Sequence, residues 1–317
     1  MKIIFYGTRE YDHYYFDVLA ADPEYGCEIR FLTANLDADT APLAQGGDAV
    51  CAFVNADCSA PVLEKLAQVG IRCLLLRCAG YNHVDLAAAK KYGITVIRVP
   101  GYSPEAVAEH AMALAQAANR RLCKAYIKVR NNNFALDGLL GYNLYGSSAG
   151  IVGTGRIGAA MARICHGFGM TVLAYDQYKN PALDGIVRYV ELDELLRTAD
   201  LISLHCPLTP ETHELVNARR LALMKPNAIL INTGRGPLVN EQDLADALNS
   251  GKIYAAGVDV LSSEPPRADN PLLTAKNCYI TPHIAWASTE ARERLMNIAI
   301  SNLQAYISGT PENVVNK

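Results

Sequence analysis

The sequence predicts an α/β protein built on doubly wound parallel sheets, and three observations carry that prediction. Short apolar, strand-like runs alternate with helix-like segments almost throughout the 317 residues, the pattern of parallel strands joined by helical crossovers. A Gly153-Thr-Gly155-Arg-Ile-Gly158 loop stands between one such strand and a helix. Hydrophobic residues make up 50% of the chain, enough to bury sizeable cores in two domains of ordinary size.

In chain order, the first strands fall at residues 3–6, 49–54, 74–76 and 95–99. Pro100-Gly101 then breaks the chain, and Ser103-Pro104-Glu105 supplies an N-cap, a first-turn proline and a first-turn acid for a long helix over 104–121. Apolar residues nearly encircle this helix, which predicts burial on more than one side, at an interdomain or subunit interface. Strand–turn–helix units resume with strands at 149–152, 171–175, 201–205, 228–232, 257–260 and 278–281. Six strands in this order make a doubly wound nucleotide-binding domain. The last segment, 290–307, reads as one amphipathic helix with no strand after it.

Charge and composition exclude several classes of function. Lys and Arg number 29 against 32 Asp and Glu, so there is no basic stripe for nucleic acid or anionic lipid, and small molecules are the expected partners. The N-terminal MKIIFYGTRE lacks the apolar centre of a signal peptide, and no run of about 18 apolar residues occurs. A cytoplasmic protein without membrane contact is expected. The 9 cysteines are scattered through apolar segments, which predicts reduced core residues rather than a disulfide framework. With no CxxC pair or second ligand cluster, no metal site is expected.

The glycine loop has a specific chemistry in this context. The first glycine permits a tight turn, the second lets a pyrophosphate approach the backbone, and the third lets helix pack on strand. The helix N-terminus offers amide donors and partial positive charge to phosphates. The following strand ends in Asp176, where a carboxylate accepts from the adenosine ribose and repels a 2′-phosphate, favouring NAD over NADP. Arg235, Glu264 and His283 each lie just beyond an apolar strand, where open α/β sheets place ligands. Singly, an Arg or Glu is usually a solvated face. Together they offer what a 2-keto acid needs: a planar fork for carboxylate and carbonyl oxygens, a proton donor near neutral pH, and a carboxylate that keeps the imidazole charged and oriented.

Over essentially its whole length the sequence resembles the D-specific 2-hydroxyacid dehydrogenases, through the 153–158 loop, His205-Cys-Pro207, Asn232-Thr-Gly-Arg-Gly236, residues 257–260 and Thr281-Pro-His283. The resemblance implies catalytic roles for Arg235, Glu264 and His283. It implies cofactor contacts from Gly153, Gly155, Arg156, Ile157, Gly158, Asp176, Cys206, Pro207, Thr212, Thr233, Gly234, Arg235 and Asp259, the last holding the nicotinamide carboxamide. It implies a Rossmann NAD domain, 101–289, inserted in a flavodoxin-like substrate domain of 1–100 and 290–317, with the active site in the cleft between them. Ala79 and Gly80 amides resemble the family's cradle for the substrate carboxylate, and Phe53, Tyr102, Arg235 and Trp286 are the other expected substrate contacts. Two segments, 49–55 and 77–130, look like D-lactate dehydrogenase. Ser263-Glu-Pro-Pro266 and residues 282–287 look like glycerate (hydroxypyruvate) dehydrogenase, and Gly234 replaces the family's usual Ser before the catalytic Arg. The expected reaction is reversible hydride transfer between NADH and pyruvate, with hydroxypyruvate as the alternative, in a homodimer. An NAD-sensing binding protein is the alternative of another class, and the complete Arg–Glu–His set argues against it.

Overall fold

The computed structural model describes residues 1–21, 23 and 26–317. The strands are β1 (Lys2–Phe5), β2 (Glu28–Phe31), β3 (Ala49–Ala52), β4 (Cys73–Leu76), β5 (Thr95–Ile97), β6 (Ser148–Val152), β7 (Thr171–Tyr175), β8 (Val187–Tyr189), β9 (Leu201–Leu204), β10 (Ile229–Asn232), β11 (Ala255–Val258) and β12 (Cys278–Ile280). The helices are α1 (Glu10–Ala21), α2 (Ala60–Gln68), α3 (Leu86–Lys91), α4 (Pro104–Asn119), α5 (Leu122–Arg130), α6 (Arg156–Gly167), α7 (Leu192–Thr198), α8 (Ala218–Leu221), α9 (Glu241–Asn249) and α10 (Thr289–Ile307). The chain divides into two compact units, Met1–Ser103 with Thr289–Lys317, and Pro104–Ser288. The seams sit at the starts of α4 and α10 rather than at the Pro100-Gly101 break.

The first unit is a five-stranded sheet in the order β2-β1-β3-β4-β5, parallel throughout, which is the flavodoxin-like order. Its central strands read as continuous apolar runs because both faces are covered: Ile3, Ile4, Phe5, Val50, Cys51, Leu74 and Leu75 are all fully buried. Helix α10 lies on β4 and against α1. After α10 the chain returns to the sheet. Val315 N–H donates to Val96 O at 3.0 Å, Val96 N–H to Asn316 Oδ1 at 2.9 Å, and Asn316 Nδ2 to Ile94 O at 2.7 Å. This tail covers the outer edge of β5, whose backbone groups would otherwise be unpaired. It uses only isolated pairings, such as the antiparallel bridge between Ile97 and Val314, so it carries no strand-like run.

The second unit is a seven-stranded parallel sheet in the order β12-β11-β10-β9-β6-β7-β8. The sequence yields six of these strands and omits β8, as it omits β2 in the first unit. Both are edge strands whose residues alternate between half-buried and exposed, so neither shows the apolar run that marks a central strand. Asp200, at the start of β9, cross-braces the sheet. It accepts from Ser148 N (2.9 Å), Ser148 Oγ (2.7 Å), Lys225 Nζ (2.9 Å) and Asn227 Nδ2 (3.0 Å). Burial would push its carboxyl up, but these donors outweigh burial and hold it down at about 2.

Helix α4 corrects one expectation. It lies on β10, β11 and β12 and against α6, so its apolar faces are taken up inside its own unit. Gly257 of β11 permits the close approach, since a Cβ there would stand 2.9 Å from the Leu114 Cβ. Within the helix only Glu105, Glu109 and Ala113 are exposed, and the apolar patch expected on this helix is absent. The helix stops at Asn119 because Arg121 turns left-handed (φ 52°) and lays its guanidinium 4.0 Å from the Tyr254 ring centroid. The exposed apolar surface falls instead on α5, which buries none of its residues, and on the segment that follows it. No helix among the described residues is long and apolar enough to cross a membrane.

Candidate active site

In the second unit the chain runs from β6 out to β7 and β8, then returns to β9 on the other side of β6, so the winding reverses between β6 and β9. The glycine loop occupies that point, and its three glycines answer different needs. Gly153 has φ +92°, and a Cβ there would lie 2.6 Å from the Cys206 amide nitrogen. Gly155 caps α6, with nothing within 4 Å of its would-be Cβ, leaving open space before the helix N-terminus. A Cβ on Gly158 would stand 1.8 Å from the Gly153 carbonyl oxygen, so the helix can pack on the turn only without a side chain there. The first turn of α6, with Arg156 and Ile157, contains no acid to offset its partial positive charge.

Around this loop lie the other expected cofactor contacts. Asp176, just past β7, accepts from Thr154 N (2.5 Å) and Thr154 Oγ1 (3.0 Å) on Oδ2, and from Tyr178 N (3.2 Å) on Oδ1, so its carboxylate sits beside the glycine loop. Burial pushes the Cys206 thiol up to about 11 and the His205 ring down to about 4, so both stand neutral near pH 7. His205 Nε2 lies 2.8 Å from Ser203 Oγ. Thr212 fastens the turn after Pro207, donating to the Pro207 carbonyl (2.7 Å) and accepting from Thr209 N (2.7 Å). Thr233 is buried just past β10, beside Gly234, and its hydroxyl has no hydrogen-bond partner among the described residues. Open space before Gly155, helix amides without an acid, a carboxylate past β7 and an orphaned hydroxyl past β10 together fit a dinucleotide.

Strands β10, β11 and β12 are neighbours, and their C-terminal ends carry the remaining groups. Asn232 closes β10 and clamps the loop beyond it, accepting from Gly234 N at 3.0 Å and donating to Arg235 O at 2.9 Å. A Cβ at Gly236 would stand 2.0 Å from the Leu261 carbonyl carbon, so this loop is pressed against the chain leading to Glu264. Arg235 donates from Nη1 to Gly234 O at 2.8 Å, and among the described residues it makes no hydrogen bond to Glu264 or His283.

Glu264 and His283 do meet. Glu264 Oε2 lies 2.6 Å from His283 Nδ1, while Oε1 accepts from Leu261 N at 3.1 Å. With Nδ1 engaged by the carboxylate, Nε2 is the ring nitrogen left to exchange a proton with a ligand. Glu241 steadies the segment before Glu264, accepting from Ser262 N and Ser262 Oγ, each at 2.7 Å, and from Asn270 Nδ2 at 2.8 Å.

His283 itself is held in a left-handed conformation, φ 54°. Asp259 does the holding. Its carbonyl accepts from His283 N (2.8 Å), its Oδ1 from Thr281 Oγ1 (2.5 Å) and Ile284 N (2.9 Å), and its Oδ2 from Ala285 N (2.8 Å). Burial would raise this carboxyl, but hydrogen bonds from His110, Thr281 and the two amides keep it below the usual carboxylate range. Trp286 closes the turn from its far end, donating Nε1–H to His283 O at 3.0 Å. The sequence reading gave no role to Glu241 or His110 and treated Asn232 only as part of a motif. An Asn ending an apolar strand just before Thr-Gly is itself an Asx-turn signal. Nothing local marks the other two.

In the first unit, Phe53 follows β3, Ala79 and Gly80 follow β4, and Tyr102 follows β5. Arg77 is buried beside Phe53, paired with the buried Asp12, donating to Tyr6 O at 2.8 Å and standing 5.8 Å from the Phe53 ring centroid. Arg98 donates to Ala79 O at 3.0 Å, and Cys78 Sγ to Gly80 O at 3.2 Å. Because C=O and N–H oppose each other in a trans peptide, holding Ala79 O aims the Gly80 N–H the other way. The Tyr102 carbonyl accepts from Arg294 Nε at 2.7 Å.

Comparison with known proteins gives this geometry a context. The family described as D-isomer specific 2-hydroxyacid dehydrogenase, NAD binding domain, matches residues 112–285. The chain is 42% identical to the D-lactate dehydrogenase of Escherichia coli (strain K12), over 96% of each chain. It is 49% identical to a hydroxypyruvate reductase of Blautia hydrogenotrophica, over 78% of this chain and 79% of that one. The apo-structure of D-lactate dehydrogenase from Escherichia coli superposes with a TM-score of 0.90 at 43% identity, covering 99% of this chain and 100% of the other. The chain belongs to the D-isomer specific 2-hydroxyacid dehydrogenase family and is an NAD-dependent oxidoreductase.

Proposed function

We propose that this dehydrogenase interconverts pyruvate and D-lactate, and that the Glu264–His283 pair supplies its acid–base chemistry. The observation that carries the acid–base assignment is the 2.6 Å contact between Glu264 Oε2 and His283 Nδ1, which leaves Nε2 as the working nitrogen. NADH, when bound, supplies the hydride. Gly153, Gly155, Arg156, Ile157 and Gly158 would hold its pyrophosphate and Asp176 its adenosine ribose. Cys206, Pro207 (its turn fastened by Thr212), Thr233, Gly234 and Arg235 would line the remainder. The Asp259 side chain, which the resemblance assigns to the carboxamide, is wholly buried and taken up by the turn of His283, so its part here is to position that turn rather than to touch the cofactor.

The chain's own residues handle the substrate. Arg235 offers its planar fork to carboxylate and carbonyl oxygens, and the Ala79 and Gly80 amides cradle the carboxylate. Phe53, Tyr102 and Trp286 contact the substrate's small side chain. His283 gives its proton to the developing alkoxide, and in the oxidative direction the neutral ring removes the hydroxyl proton. Glu264 favours the charged ring and fixes its orientation.

Pyruvate is favoured by the nearly end-to-end similarity to the lactate enzyme, 96% of both chains. The second reading, hydroxypyruvate and D-glycerate, rests on the higher identity, 49%, to the hydroxypyruvate reductase over a shorter stretch. The test is NADH oxidation by the purified protein with pyruvate, hydroxypyruvate, glyoxylate, phenylpyruvate and oxaloacetate, followed by chiral analysis of the product. We expect pyruvate to give the highest kcat/KM and D-lactate to be formed. A higher kcat/KM for hydroxypyruvate would establish the second reading, and L-lactate would refute the assigned hand.

A cytoplasmic homodimer completes the proposal. The cytoplasmic setting rests on the 9 cysteines without a disulfide framework. The dimer rests on α5 and residues 131–145, where Tyr126, Leu136 and Leu140 are 63%, 80% and 88% exposed, an apolar surface that a second copy would cover. Light scattering should give twice the 34.4 kDa chain mass, and a monomer at micromolar concentration would refute the dimer.

A further inference from the structure

We propose that His110 is a positioning residue: its Nε2–H, through Thr281 and Asp259, holds the left-handed turn that presents His283. The inference rests on the reading of His283 as the proton-transferring group. His110 stands on α4, with Nε2 3.1 Å from Thr281 Oγ1 and 3.4 Å from Asp259 Oδ1. Counting protons fixes the direction of these contacts. Thr281 has one hydroxyl proton, and it points at Asp259 Oδ1 at 2.5 Å, so toward His110 the Thr281 oxygen can only accept. The Asp259 carboxylate can only accept as well. His110 must therefore carry its hydrogen on Nε2.

What this donor adds follows from where the others come from. Thr281, Ile284 and Ala285 all belong to the turn, so their hydrogen bonds to Asp259 shape the turn but supply no brace from a further element. His110 comes from α4, which is packed on β10, β11 and β12 and against α6. It ties the turn and the Asp259 carboxylate to a rigid layer. A residue with a β-carbon stays at φ 54° only where its surroundings over-determine it, and a wholly buried carboxylate needs donors on every side. Without His110, Asp259 keeps its other donors, so the turn should persist but wander. The cost should fall on the alignment of His283, not on folding or cofactor affinity.

The experiment compares His110→Leu, which removes the donor, with His110→Gln, whose side-chain amide can donate in its place. His283→Ala runs in parallel on the full-length protein. Loss of one hydrogen bond serving a charged group should lower kcat for keto-acid reduction about tenfold in His110→Leu. NADH affinity, read by fluorescence titration, should stay within about twofold, because the glycine loop is untouched. His110→Gln should recover most of the rate. In ¹⁵N-histidine spectra of the wild-type protein, Nε2 of His110 should carry its proton. An unprotonated Nε2, an unchanged kcat in His110→Leu, or equal impairment in both variants would overturn the proposal. Full activity in His283→Ala would instead refute the acid–base reading beneath it. An inactive His283→Ala beside a fully active His110→Leu would refute the role of His110 alone.

Discussion

Replacing Glu264 by Gln should slow the reaction in both directions without abolishing it. Both side chains are about three-quarters buried, with 26% and 24% exposure, and Oε2 lies 2.6 Å from the ring nitrogen. For charge centres about 4 Å apart, an effective dielectric near 20 gives roughly 4 kcal/mol of attraction. Partial exposure and the dipole that Gln retains reduce the net loss to about 1.4 kcal/mol, a factor of about ten in rate. The imidazolium is the proton donor in reduction and the product of proton transfer in oxidation, so kcat/KM should fall in both directions by about that factor. Gln cannot copy Glu264 completely. With its oxygen toward His283, its amino group faces the Leu261 N–H that Oε1 now accepts, and thermal stability should fall by about one hydrogen bond, ~1 kcal/mol. The assay is steady-state kinetics in both directions, alongside thermal melts. Unchanged kcat/KM in both directions, in a folded variant, would show that Glu264 does not support the working ring.

Three other outcomes follow from the same geometry. The wild-type protein should prefer NADH to NADPH by at least about a hundredfold in kcat/KM, roughly 2.7 kcal/mol, and Asp176→Ala should lose most of that ratio; comparable use of both cofactors by the wild type would refute the role of Asp176. Gly158→Ala places a Cβ 1.8 Å from a backbone oxygen that cannot yield, so α6 must shift, and both the melting temperature and NADH affinity should fall, which calorimetry and titration would read. Asp200 is held at about 2, below the ordinary 3.8, so it contributes stability present above pH ~4 and lost as pH falls toward 2. Asp200→Asn should therefore cost about 2 kcal/mol in urea unfolding at pH 7, with the gap between variant and wild type narrowing below pH 4; a gap independent of pH would refute it.

The legible parts of this chain are those whose physical requirement is local. Central strands show because both faces are buried, so every residue from Ile229 to Ile231 is apolar, whereas β2 and β8 at the edges alternate and are passed over. The glycine loop shows because each glycine answers a constraint within its own turn or against the next strand. Glu264 and His283 could be read only as members of a set, since they lie 19 positions apart and no spacing rule joins them. Contacts between distant elements leave no trace in either segment. Lys225 and Asn227 reach Asp200 over 25 and 27 residues, Asn302 donates to Arg98 O over 204, and His110 reaches Thr281 over 171.

Helix α4 shows how one sequence feature can be correctly perceived and wrongly placed. Its nearly continuous Ala-rich surface does signal burial on several sides, but periodicity carries no information about which neighbours do the burying. The structure supplies them as β10, β11, β12 and α6, with Gly257 opening room for Leu114. Small side chains let the helix sit close to the sheet, and a helix so confined has little freedom to rotate or slide. That confinement bears directly on chemistry, because His110 stands on the same helix, one turn before Leu114, which is buried in the core. A donor on a mobile surface helix would follow the turn of His283 wherever it went. On α4 it can resist that movement, so the packing that read from sequence as an interface is what makes His110 a fixed reference for the working imidazole.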